Sequence, residues 1–434
     1  MSRLLIGNDF IEDVRDDRGW TGWWVQRIAW FAREGDVLVL PTQPDKDFFG
    51  YVGGLTGVDP NSWRVVVPPD HGARGLLGPE RLTSAELESA LLAAGDFEQI
   101  FALWPDMAVA RLARRLGLEH ALPGYGFVEQ AGGVLVNSKS VFRTVAAGAG
   151  VPLPEGAVCT SRAELVRAAA ALLETGEAVV AKHDWMSGGR GNEILSVAKD
   201  AILPVGARRV VPVSGRADIE AWAHERWDWL SDHGRGRPVV EHYLRDSSAY
   251  FTEFDVRDDG VKFRGDGELL SAPYAVGQVM PAQGLEREVR DEIIEGGRRL
   301  AVALQAMGYR GNLGPDAIVT PQREVMFTEW NGRVTGSTHI YGEIGAAVVG
   351  PEFGSTRMIL ERVWPQGWVV RSFADALDRL RASGLDYDPQ QRQGVVFTNA
   401  FDGGNGVMYC VVAPSVDQAW AVDRELAGVF GGGA

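Results

Sequence analysis

Residues Asp316–Gly336 have the sequence DAIVTPQREVMFTEWNGRVTG, which predicts two short strands joined by a Pro-Gln-Arg turn. Glu329 and Asn331 end the second strand. Side chains two residues apart on a strand lie on the same face, so these two can bind one ion. A connecting loop with an even number of residues would place Asp316 opposite Glu329 on that face. Two carboxylates and an amide oxygen suit Mg²⁺ that holds nucleotide phosphates; the alternative is a surface hairpin with ordinary charges.

The composition is that of a soluble globular protein. The chain has 434 residues, of which 45% are apolar and 23% are charged, and this length favours two to four domains. The formal charge of −15 argues against a general nucleic-acid binder, because phosphate backbones require a basic surface. Any nucleotide site must therefore be a local basic pocket, with a metal ion assisting.

Cysteine content and apolar patterning favour a cytoplasmic protein. Cys159 and Cys410 are the only cysteines, which excludes a disulfide framework and a Cys-rich zinc site. The first residues, MSRLLIGNDFIED, become acidic after a few apolar positions and do not match a signal peptide. No apolar run approaches the roughly 18 residues that span a bilayer. We therefore expect two buried thiols and no membrane partner.

The first part of the chain predicts an α/β unit, because strand patterns alternate with helical apolar spacing. Such alternation favours a parallel sheet with helices on its faces. The predicted elements are the strands Ser2–Gly7, Asp36–Leu40 and Arg64–Val67 and the helices Leu82–Ala94 and Asp106–Leu116. The tryptophans Trp20, Trp23, Trp24 and Trp30 are interpreted as core, with a hydrophobic substrate or partner surface as the alternative.

The rest of the chain also mixes helices and strands. Helices are predicted at Val141–Ala147, Ser161–Thr175, Asp218–Trp229, Glu286–Met307, Ser372–Ser383 and Val416–Ala427. Strands are predicted at Ala157–Cys159, Ala178–Lys182, Pro238–Leu244, Tyr250–Val256, Val261–Phe263, Glu268–Pro273, Val395–Thr398 and Val407–Val412, with a hairpin turn at Asp402–Gly406.

A glycine-rich turn, Ser187-Gly188-Gly189-Arg190-Gly191-Asn192, follows the strand that ends at Lys182. Glycines let successive backbone N–H groups approach an anion, and a neighbouring lysine adds a point charge for phosphate. The turn matches neither a P-loop nor a Rossmann fingerprint. Taken alone it could equally be an ordinary β-turn.

The order of these motifs makes them specific. Lys139 precedes a helix that ends at Gly150-Val151-Pro152, and Lys182 and the glycine-rich turn follow. Next come the strand Val239–Leu244 with Glu241, a long helix, and the Asp316–Arg333 segment. In this order the chain resembles the ATP-grasp superfamily over Val134–Arg362. Its Trp-rich beginning, EWNGRVTG signature and C-terminal extension are most similar to the pheganomycin-type peptide ligases.

The resemblance implies an ATP site built from this part of the chain. Lys139 and Lys182 would contact the α- and β-phosphates. The lid over the β- and γ-phosphates would contain Ser187, Gly188, Gly189 and Gly191. The hinge that reads the adenine edge would contain Glu241, His242 and Leu244. Many relatives carry a ribose-binding carboxylate where this chain has Ser248.

The resemblance also implies a metal and substrate site. Asp316, Glu329 and Asn331 would ligate two Mg²⁺ ions, with Mn²⁺ as the alternative metal, and Arg333 would hold the γ-phosphate or an acyl phosphate. Many relatives have an arginine at the position of Gly314, so Arg333 or Arg264 would stabilise the tetrahedral intermediate instead. The substrate-lining segment would include Thr335, Gly336, Ser337 and His339.

The implied fold is α/β ATP-grasp with four parts. These are an N-terminal pre-ATP-grasp α/β domain (1–133), a central lid subdomain (134–242), a C-terminal subdomain with the metal site (243–365) and a small α+β extension (366–434). The expected activity is ATP-dependent ligation of a small carboxylic acid to an amino acid or peptide amine in natural-product biosynthesis, through an acyl phosphate. The alternatives are an ATP-grasp carboxylase or kinase and a non-catalytic nucleotide-binding module. A homodimer is expected from base rates alone.

Overall fold

The computed structural model describes residues 2–8, 24–69, 76–198, 202–401 and 407–431. Of the sequence predictions, Trp20, Trp23 and the turn Asp402–Gly406 lie outside these ranges. Within the described part of the chain, no helix combines the length and the apolar character that crossing a bilayer would need. Both cysteines are free thiols and are buried, as expected.

The N-terminal sheet has four parallel strands in the order β3-β2-β1-β4, as the strand–helix alternation predicts. Its strands are β1 (Ser2–Ile6), β2 (Val37–Val39), β3 (Arg64–Val66) and β4 (Phe97–Ala102). The α-helices here are Lys46–Thr56, Pro79–Leu82, Ala85–Leu92, Met107–Arg115, Tyr125–Glu129 and Gly132–Leu135, and short 3₁₀ helices span Trp24–Phe31, Pro60–Ser62 and Glu119–Ala121. The helix predicted at Leu82–Ala94 is two helices, because the Ser84 side chain caps a new start by accepting from Leu87 N.

The central sheet has five strands in the order β5-β9-β6-β7-β8. They are β5 (Gly156–Val158), β6 (Ala178–Lys182), β7 (Asn192–Ser196), β8 (Val210–Pro212) and β9 (Val239–His242). The helices of this part are Lys139–Gly148, Arg162–Thr175 and Arg216–Leu230. Ser161 caps the second of them by accepting from Glu164 N, as predicted. The glycine-rich turn joins β6 to β7, two antiparallel neighbours.

The largest sheet has eight strands in the order β14-β13-β10-β11-β12-β15-β17-β16, and each neighbouring pair is antiparallel. They are β10 (Ser248–Arg257), β11 (Gly260–Ser271), β12 (Ala275–Met280), β13 (Gly311–Val319), β14 (Val325–Asn331), β15 (Met358–Arg362), β16 (Gly394–Phe397) and β17 (Tyr409–Ala413). The α-helices are Arg287–Ala306, Phe353–Thr356, Phe373–Ser383 and Val416–Phe430, and a π-helix spans Ile340–Val349. The strands predicted at Val261–Phe263 and Glu268–Pro273 are one continuous strand, β11.

The C-terminal extension continues this sheet. Its strands β16 and β17 pair with each other, and β17 pairs with β15. The extension also packs on the N-terminal part: the rings of Phe48 and Phe373 are 5.4 Å apart in an edge-to-face contact. Tyr51 Oη accepts from Phe397 N at 3.2 Å. Buried residues of both parts therefore share one core, and the four-part division stays a prediction.

A β-bulge sets the register of the hairpin formed by β13 and β14. Residues 320–324 connect β13 and β14, and this odd-numbered loop alone would pair Asp316 with Thr328. The register shifts between Asp316 and Ala317, and this places Asp316 opposite Glu329. The predicted pairing is correct, but a bulge produces it and not the even-numbered loop.

Of the N-terminal tryptophan cluster, the structure describes Trp24 and Trp30, and only Trp30 is a core residue. Trp30 is buried, and its indole N–H donates to Thr398 O at 3.0 Å, which ties the N-terminal part to the extension. Trp24 is half-buried and lines a large cavity, where the Arg27 guanidinium lies 4.2 Å from the centre of its ring. Packing accounts for Trp30, whereas Trp24 also faces the cavity.

Candidate active site

A cavity of about 1310 Å³ lies between the five-stranded and the eight-stranded sheets and continues toward the N-terminal part. Lys139, Gly191, Arg264 and His339 lie outside its lining. The other predicted site residues line it; they are Lys182, Ser187, Gly188, Gly189, Glu241, His242, Leu244, Asp316, Glu329, Asn331, Arg333, Thr335, Gly336 and Ser337.

Strands β13 and β14 bring two carboxylates together on one side of this cavity. Asp316 lies opposite Glu329, and Asn331 Nδ2 donates to Asp316 Oδ2 at 3.3 Å. Burial, reinforced by the charge of Glu329, raises the pKa of Asp316 well above its usual value. Burial alone would also raise the pKa of Glu329, but the charges of Lys139 and Lys182 hold that pKa below its usual value. Two half-buried carboxylates that resist joint ionisation form a site that a divalent cation would neutralise.

Two buried lysines surround the carboxylate pair. Lys139 Nζ lies 3.1 Å from Glu329 Oε2 and donates to Met186 O at 2.6 Å. Lys182 Nζ lies 2.5 Å from Glu241 Oε1 and 3.3 Å from Thr328 O. Both side chains are held by contacts at the end of the cavity that also contains the carboxylates. The acidic chain therefore contains the local basic pocket that a nucleotide site requires.

Asp184, which the sequence interpretation missed, fixes the position of Lys139. Its carboxylate accepts from Ser138 Oγ at 2.8 Å, from Ser140 N at 2.9 Å and from Arg237 N at 3.2 Å. Lys139 N donates to Asp184 O at 3.0 Å. These bonds join the start of the helix Lys139–Gly148 to the loop after β6, so Lys139 and Lys182 are held beside each other.

The glycine-rich turn requires glycine for two different reasons. Gly188 and Gly189 have φ values of +64° and +80°, in the left-handed region that side chains with a Cβ rarely adopt. A Cβ at Gly188 would have no atom within 4 Å, whereas one at Gly189 would lie 2.7 Å from the carbonyl carbon of Gly206. The turn also packs against the Lys139 side chain, which is bonded to Met186 O.

The Glu241 side chain, predicted to read the adenine edge, is ion-paired on both carboxylate oxygens. Its Oε1 pairs with Lys182 at 2.5 Å and its Oε2 with Arg143 at 3.0 Å, and the residue is 3% exposed. A carboxylate with a cation on each oxygen positions Lys182 and is not available to read an adenine edge. The His242 ring is likewise engaged, with Nε2 at 3.3 Å from Thr175 Oγ1. Leu244 remains in the cavity lining as a hinge residue.

Asp246 supplies a carboxylate near the position where Ser248 interrupts the pattern of many relatives. Asp246 lines the cavity, whereas Ser248 is exposed and does not. The backbone of Asp246 has a φ of +58°, a conformation that Asp and Asn adopt more readily than most residues. Asp246 lies two residues before the position at which the carboxylate was expected, so it was not identified from the sequence.

Arg333 is the predicted arginine that the structure places in the cavity. Its guanidinium lies 4.6 Å from the centre of the Trp104 ring, and Nη1 donates to Asn331 Oδ1. Arg264, the alternative, is exposed on β11 and outside the lining, so it is not available to a reacting group there. A Cβ at Gly314 would lie 3.3 Å from Thr335 Cγ2, which leaves little room for an arginine.

Glu253, a buried residue absent from the sequence predictions, organises the segment after Arg333. Its Oε1 accepts from Thr335 Oγ1 at 2.6 Å and from Ser337 Oγ, and it also bonds the Thr338 hydroxyl at 3.2 Å. Burial raises the pKa of Glu253, although these hydroxyl groups oppose the shift. Thr335 and Ser337 therefore shape the cavity wall through Glu253. The substrate role of His339 stays a prediction; its side chain is 1% exposed, lies outside the cavity lining and packs into the core near Arg27.

The donor set on β13 and β14 fits a hard divalent cation. It consists of two half-buried carboxylates and one amide, the oxygen-rich chemistry that Mg²⁺ prefers. Asn331 Oδ1 faces Arg333 here, and a half-turn of the amide would direct it to the carboxylates. Among the described residues, no group of three or more His, Cys, Asp or Glu side chains has an arrangement that could hold a metal. A metal at this site would therefore need further oxygen ligands from phosphates or water.

These features define an ATP-grasp fold preceded by its characteristic N-terminal domain. A pre-ATP-grasp domain model matches residues 25–118. The biotin carboxylase of Campylobacter jejuni, solved with β,γ-ATP, is similar with a TM-score of 0.61 at 14% identity, over 99% of this chain and 91% of that one. The ADP complex of N5-carboxyaminoimidazole ribonucleotide synthetase is similar with a TM-score of 0.61 at 12% identity, over 98% and 96%. The predicted resemblance to the ATP-grasp superfamily is confirmed.

Two further matches agree with the predicted resemblance to pheganomycin-type ligases. A model described as the PGM1 C-terminal domain matches residues 375–426, in the extension. The L-propargylglycine–L-glutamate ligase of Streptantibioticus cattleyicolor is 27% identical over 312 residues, which cover 66% of this chain. The chain matches 61% of the length of that relative.

Proposed function

We propose that this protein is an ATP-dependent carboxylate–amine ligase that forms an amide bond through an acyl phosphate and releases ADP and phosphate. One observation carries the proposal: Asp316, Glu329, Lys182 and Arg333 line one end of a large cavity beside a glycine-rich turn, and Lys139 lies behind this lining, 3.1 Å from Glu329. This combination of anions and cations suits a polyphosphate with its metal.

In the proposed site the nucleotide is held by charge. Lys139 and Lys182 bind its phosphates, and Asp316 and Glu329, with Asn331 after the half-turn of its amide, ligate Mg²⁺. The metal, when bound, neutralises charge on the phosphoryl group that is transferred. The turn at residues 187–192 covers this end of the cavity. Such a cover matters because an acyl phosphate would hydrolyse in contact with water.

The proposed reaction has two steps. A carboxylate oxygen of the donor attacks the γ-phosphorus of ATP, the bond to the β–γ bridging oxygen breaks, and ADP leaves. The neutral amine of the acceptor then attacks the acyl carbon, phosphate leaves and the nitrogen loses a proton. Arg333 is positioned to stabilise the oxyanion of this second step, and no serine or cysteine nucleophile is needed.

The substrate class follows from the relative's name and from the size of the cavity. That relative is named for joining L-propargylglycine to L-glutamate, two α-amino acids. A cavity of about 1310 Å³ is larger than a typical small-molecule pocket. We therefore assign it to ATP together with an amino-acid-sized donor and an amine acceptor, in the biosynthesis of a peptide natural product in the cytoplasm.

A nucleotide-product screen tests the proposal. Candidate carboxylic acids and amines are incubated with Mg·ATP, and ADP, AMP, phosphate and pyrophosphate are measured. The proposal expects ADP and phosphate to form only when an acid and an amine are both present, with an amide detected by mass spectrometry. Release of AMP and pyrophosphate would contradict it. So would turnover that requires bicarbonate and no amine, which would indicate a carboxylase.

A further inference from the structure

Glu361 is a buried carboxyl group that the proposed ligase reaction leaves without a role. It lies on β15, is 4% exposed and lines the large cavity. Its Oε2 accepts from Gln278 Nε2 at 2.6 Å. Its Oε1, also buried, has no hydrogen-bond partner among the described residues. A buried carboxyl oxygen of this kind is costly for folding, so its presence in a cavity wall points to a ligand that it binds.

Burial favours the neutral form of Glu361 in the ligand-free protein, so a cationic ligand group would compensate the charge of its ionised form. Burial raises the pKa of Glu361 to about 8, whereas the amide of Gln278 and the charge of Arg27 lower it. The Arg27 guanidinium is itself held against the Trp24 ring, at 4.2 Å, and donates to Trp24 O at 2.9 Å. Arg27 also donates to Val334 O at 3.5 Å, and Glu361 keeps an oxygen that a further N–H donor can satisfy.

The position of Glu361 connects it to the reaction end of the cavity. A Cβ at Gly336 would lie 3.8 Å from Gln278 Nε2, so the turn at residues 334–336 lies against the Gln278–Glu361 pair. That turn begins directly after Arg333, and three residues span at most about 10 Å. Glu361 and Arg333 line the same cavity, so a small amino acid bound at Glu361 would share that cavity with Arg333.

We propose that Glu361, oriented by Gln278, binds the ammonium group of an amino-acid substrate that donates its carboxylate to the ligation. This inference rests on the proposed ligase function and specifies its donor. The donor's own amine would otherwise compete with the acceptor for the acyl phosphate. An ion pair with a buried carboxylate keeps that amine protonated and away from the acyl carbon, so the protein joins two different partners.

Matched donors test this inference without changing the protein. Hydroxylamine serves as a general acceptor, because it converts an acyl phosphate to a hydroxamate and phosphate. Wild-type protein is assayed with Mg·ATP, hydroxylamine and a panel of L-amino acids, including L-glutamate and L-propargylglycine. Each is compared with its N-acetyl and des-amino counterparts. The inference expects kcat/KM to fall at least about tenfold when the ammonium group is absent or acetylated. Equal use of N-acetylated or des-amino donors would overturn it.

The variant Glu361→Gln provides a second test of this inference. It should lose at least about tenfold in kcat/KM for the free amino-acid donor, mainly through KM. Its use of the des-amino donor should be unchanged, which also shows that the variant is folded. Without hydroxylamine it should form more self-condensed donor than wild type. The control Glu425→Gln removes an exposed carboxylate from the helix Val416–Phe430 and should match wild type with every donor.

The two proposals fail in different ways. If Glu361→Gln keeps the wild-type preference for free amino acids, the ammonium subsite is wrong while the ligase stands. If no donor yields ADP and hydroxamate in any form, the ligase function itself is contradicted, and the donor subsite with it.

Discussion

Charge balance in the cavity depends on individual side chains that lie on different elements. Glu329 carries negative charge that Lys139 compensates at 3.1 Å, whereas Lys182 pairs with Glu241 at 2.5 Å. In the proposed ligase, a polyphosphate with its metal would replace these internal ion pairs.

Glu329→Gln should lower the rate of ADP formation about 100-fold or more, because it removes a carboxylate from the proposed metal site and leaves Lys139 without its anionic partner. Nucleotide turnover measured at saturating Mg²⁺ checks this. Glu324→Gln removes an exposed carboxylate from the loop of the same hairpin and should have wild-type turnover. If Glu329→Gln and Glu324→Gln had comparable nucleotide turnover, Glu329 would not belong to the proposed metal site.

Glu361→Gln should change how stability depends on pH in the ligand-free protein. The pKa of Glu361 rises from 4.5 to about 8 on folding, mainly through burial, beside Gln278, Arg27 and Cys410. Between these values the unfolded chain has lost the proton that the folded protein retains, so wild-type stability falls as pH rises. Chemical denaturation from pH 4.5 to 8 should show the free energy of unfolding of the variant rising, relative to that of wild type, by up to about 1.4 kcal/mol per pH unit. A constant difference across this range would contradict the assignment.

Local sequence was sufficient to predict the residues that lie close together along the chain. Glu329, Asn331 and Arg333 follow one another on a single strand and its end, and their alternation places them together. Asp184 and Glu361 were missed because their partners are far away in sequence: Glu361 meets Gln278 across 83 residues. A pairing of that kind depends on strand order, which no local pattern specifies.

At the scale of elements, Asp184 joins the helix Lys139–Gly148 to the end of β6. Asp184→Ala should destabilise the protein by about 3 kcal/mol or more, because it leaves the buried donors of Ser138 and Ser140 and the N–H of Arg237 unsatisfied. It should also weaken ATP binding about tenfold, since Lys139 loses its fixed position. Denaturant titration and nucleotide binding check the two effects. A destabilised variant with unchanged ATP affinity would show that Asp184 supports the fold alone.

The glycine-rich turn allows a comparison of neighbouring positions. Gly188→Ala and Gly189→Ala both introduce a Cβ at positive φ, which costs about 1–2 kcal/mol. Gly189→Ala should reduce ADP formation more, because its Cβ would also lie 2.7 Å from the carbonyl carbon of Gly206. Steady-state turnover of the two variants checks this order. A larger effect at Gly188 would contradict the packing of the turn.

Most predicted elements were correct within a few residues, because apolar spacing and capping residues such as Ser161 are local signals. Two failures have a common physical origin. The sequence does not reveal that β11 runs unbroken from Gly260 to Ser271, nor that a bulge lies beside Asp316. Neighbouring strands impose both features, and their contacts outweigh local propensity.

For the whole molecule, the eight-stranded sheet joins the β13–β14 hairpin at one edge to the C-terminal extension at the other. The N-terminal part packs on the extension through Phe48 and Trp30 and lines the cavity through Trp24. The order of the parts along the chain could be predicted from the order of the motifs. The core that the N-terminal part shares with the extension could be seen only in the structure. In the proposed ligase, Gln278 on β12 and Glu361 on β15 select the donor, and the N-terminal part contributes Trp24 and Arg27 to the same cavity.

The transfer of oxygen from donor to phosphate tests the central claim most directly. A donor acid labelled with ¹⁸O in its carboxylate is converted to the amide with Mg·ATP, and the released nucleotide and phosphate are analysed by mass spectrometry. An acyl-phosphate ligase places one ¹⁸O atom from each donor molecule in inorganic phosphate and none in ADP. Appearance of the label in AMP, or phosphate that carries no label while the amide forms, would contradict the account.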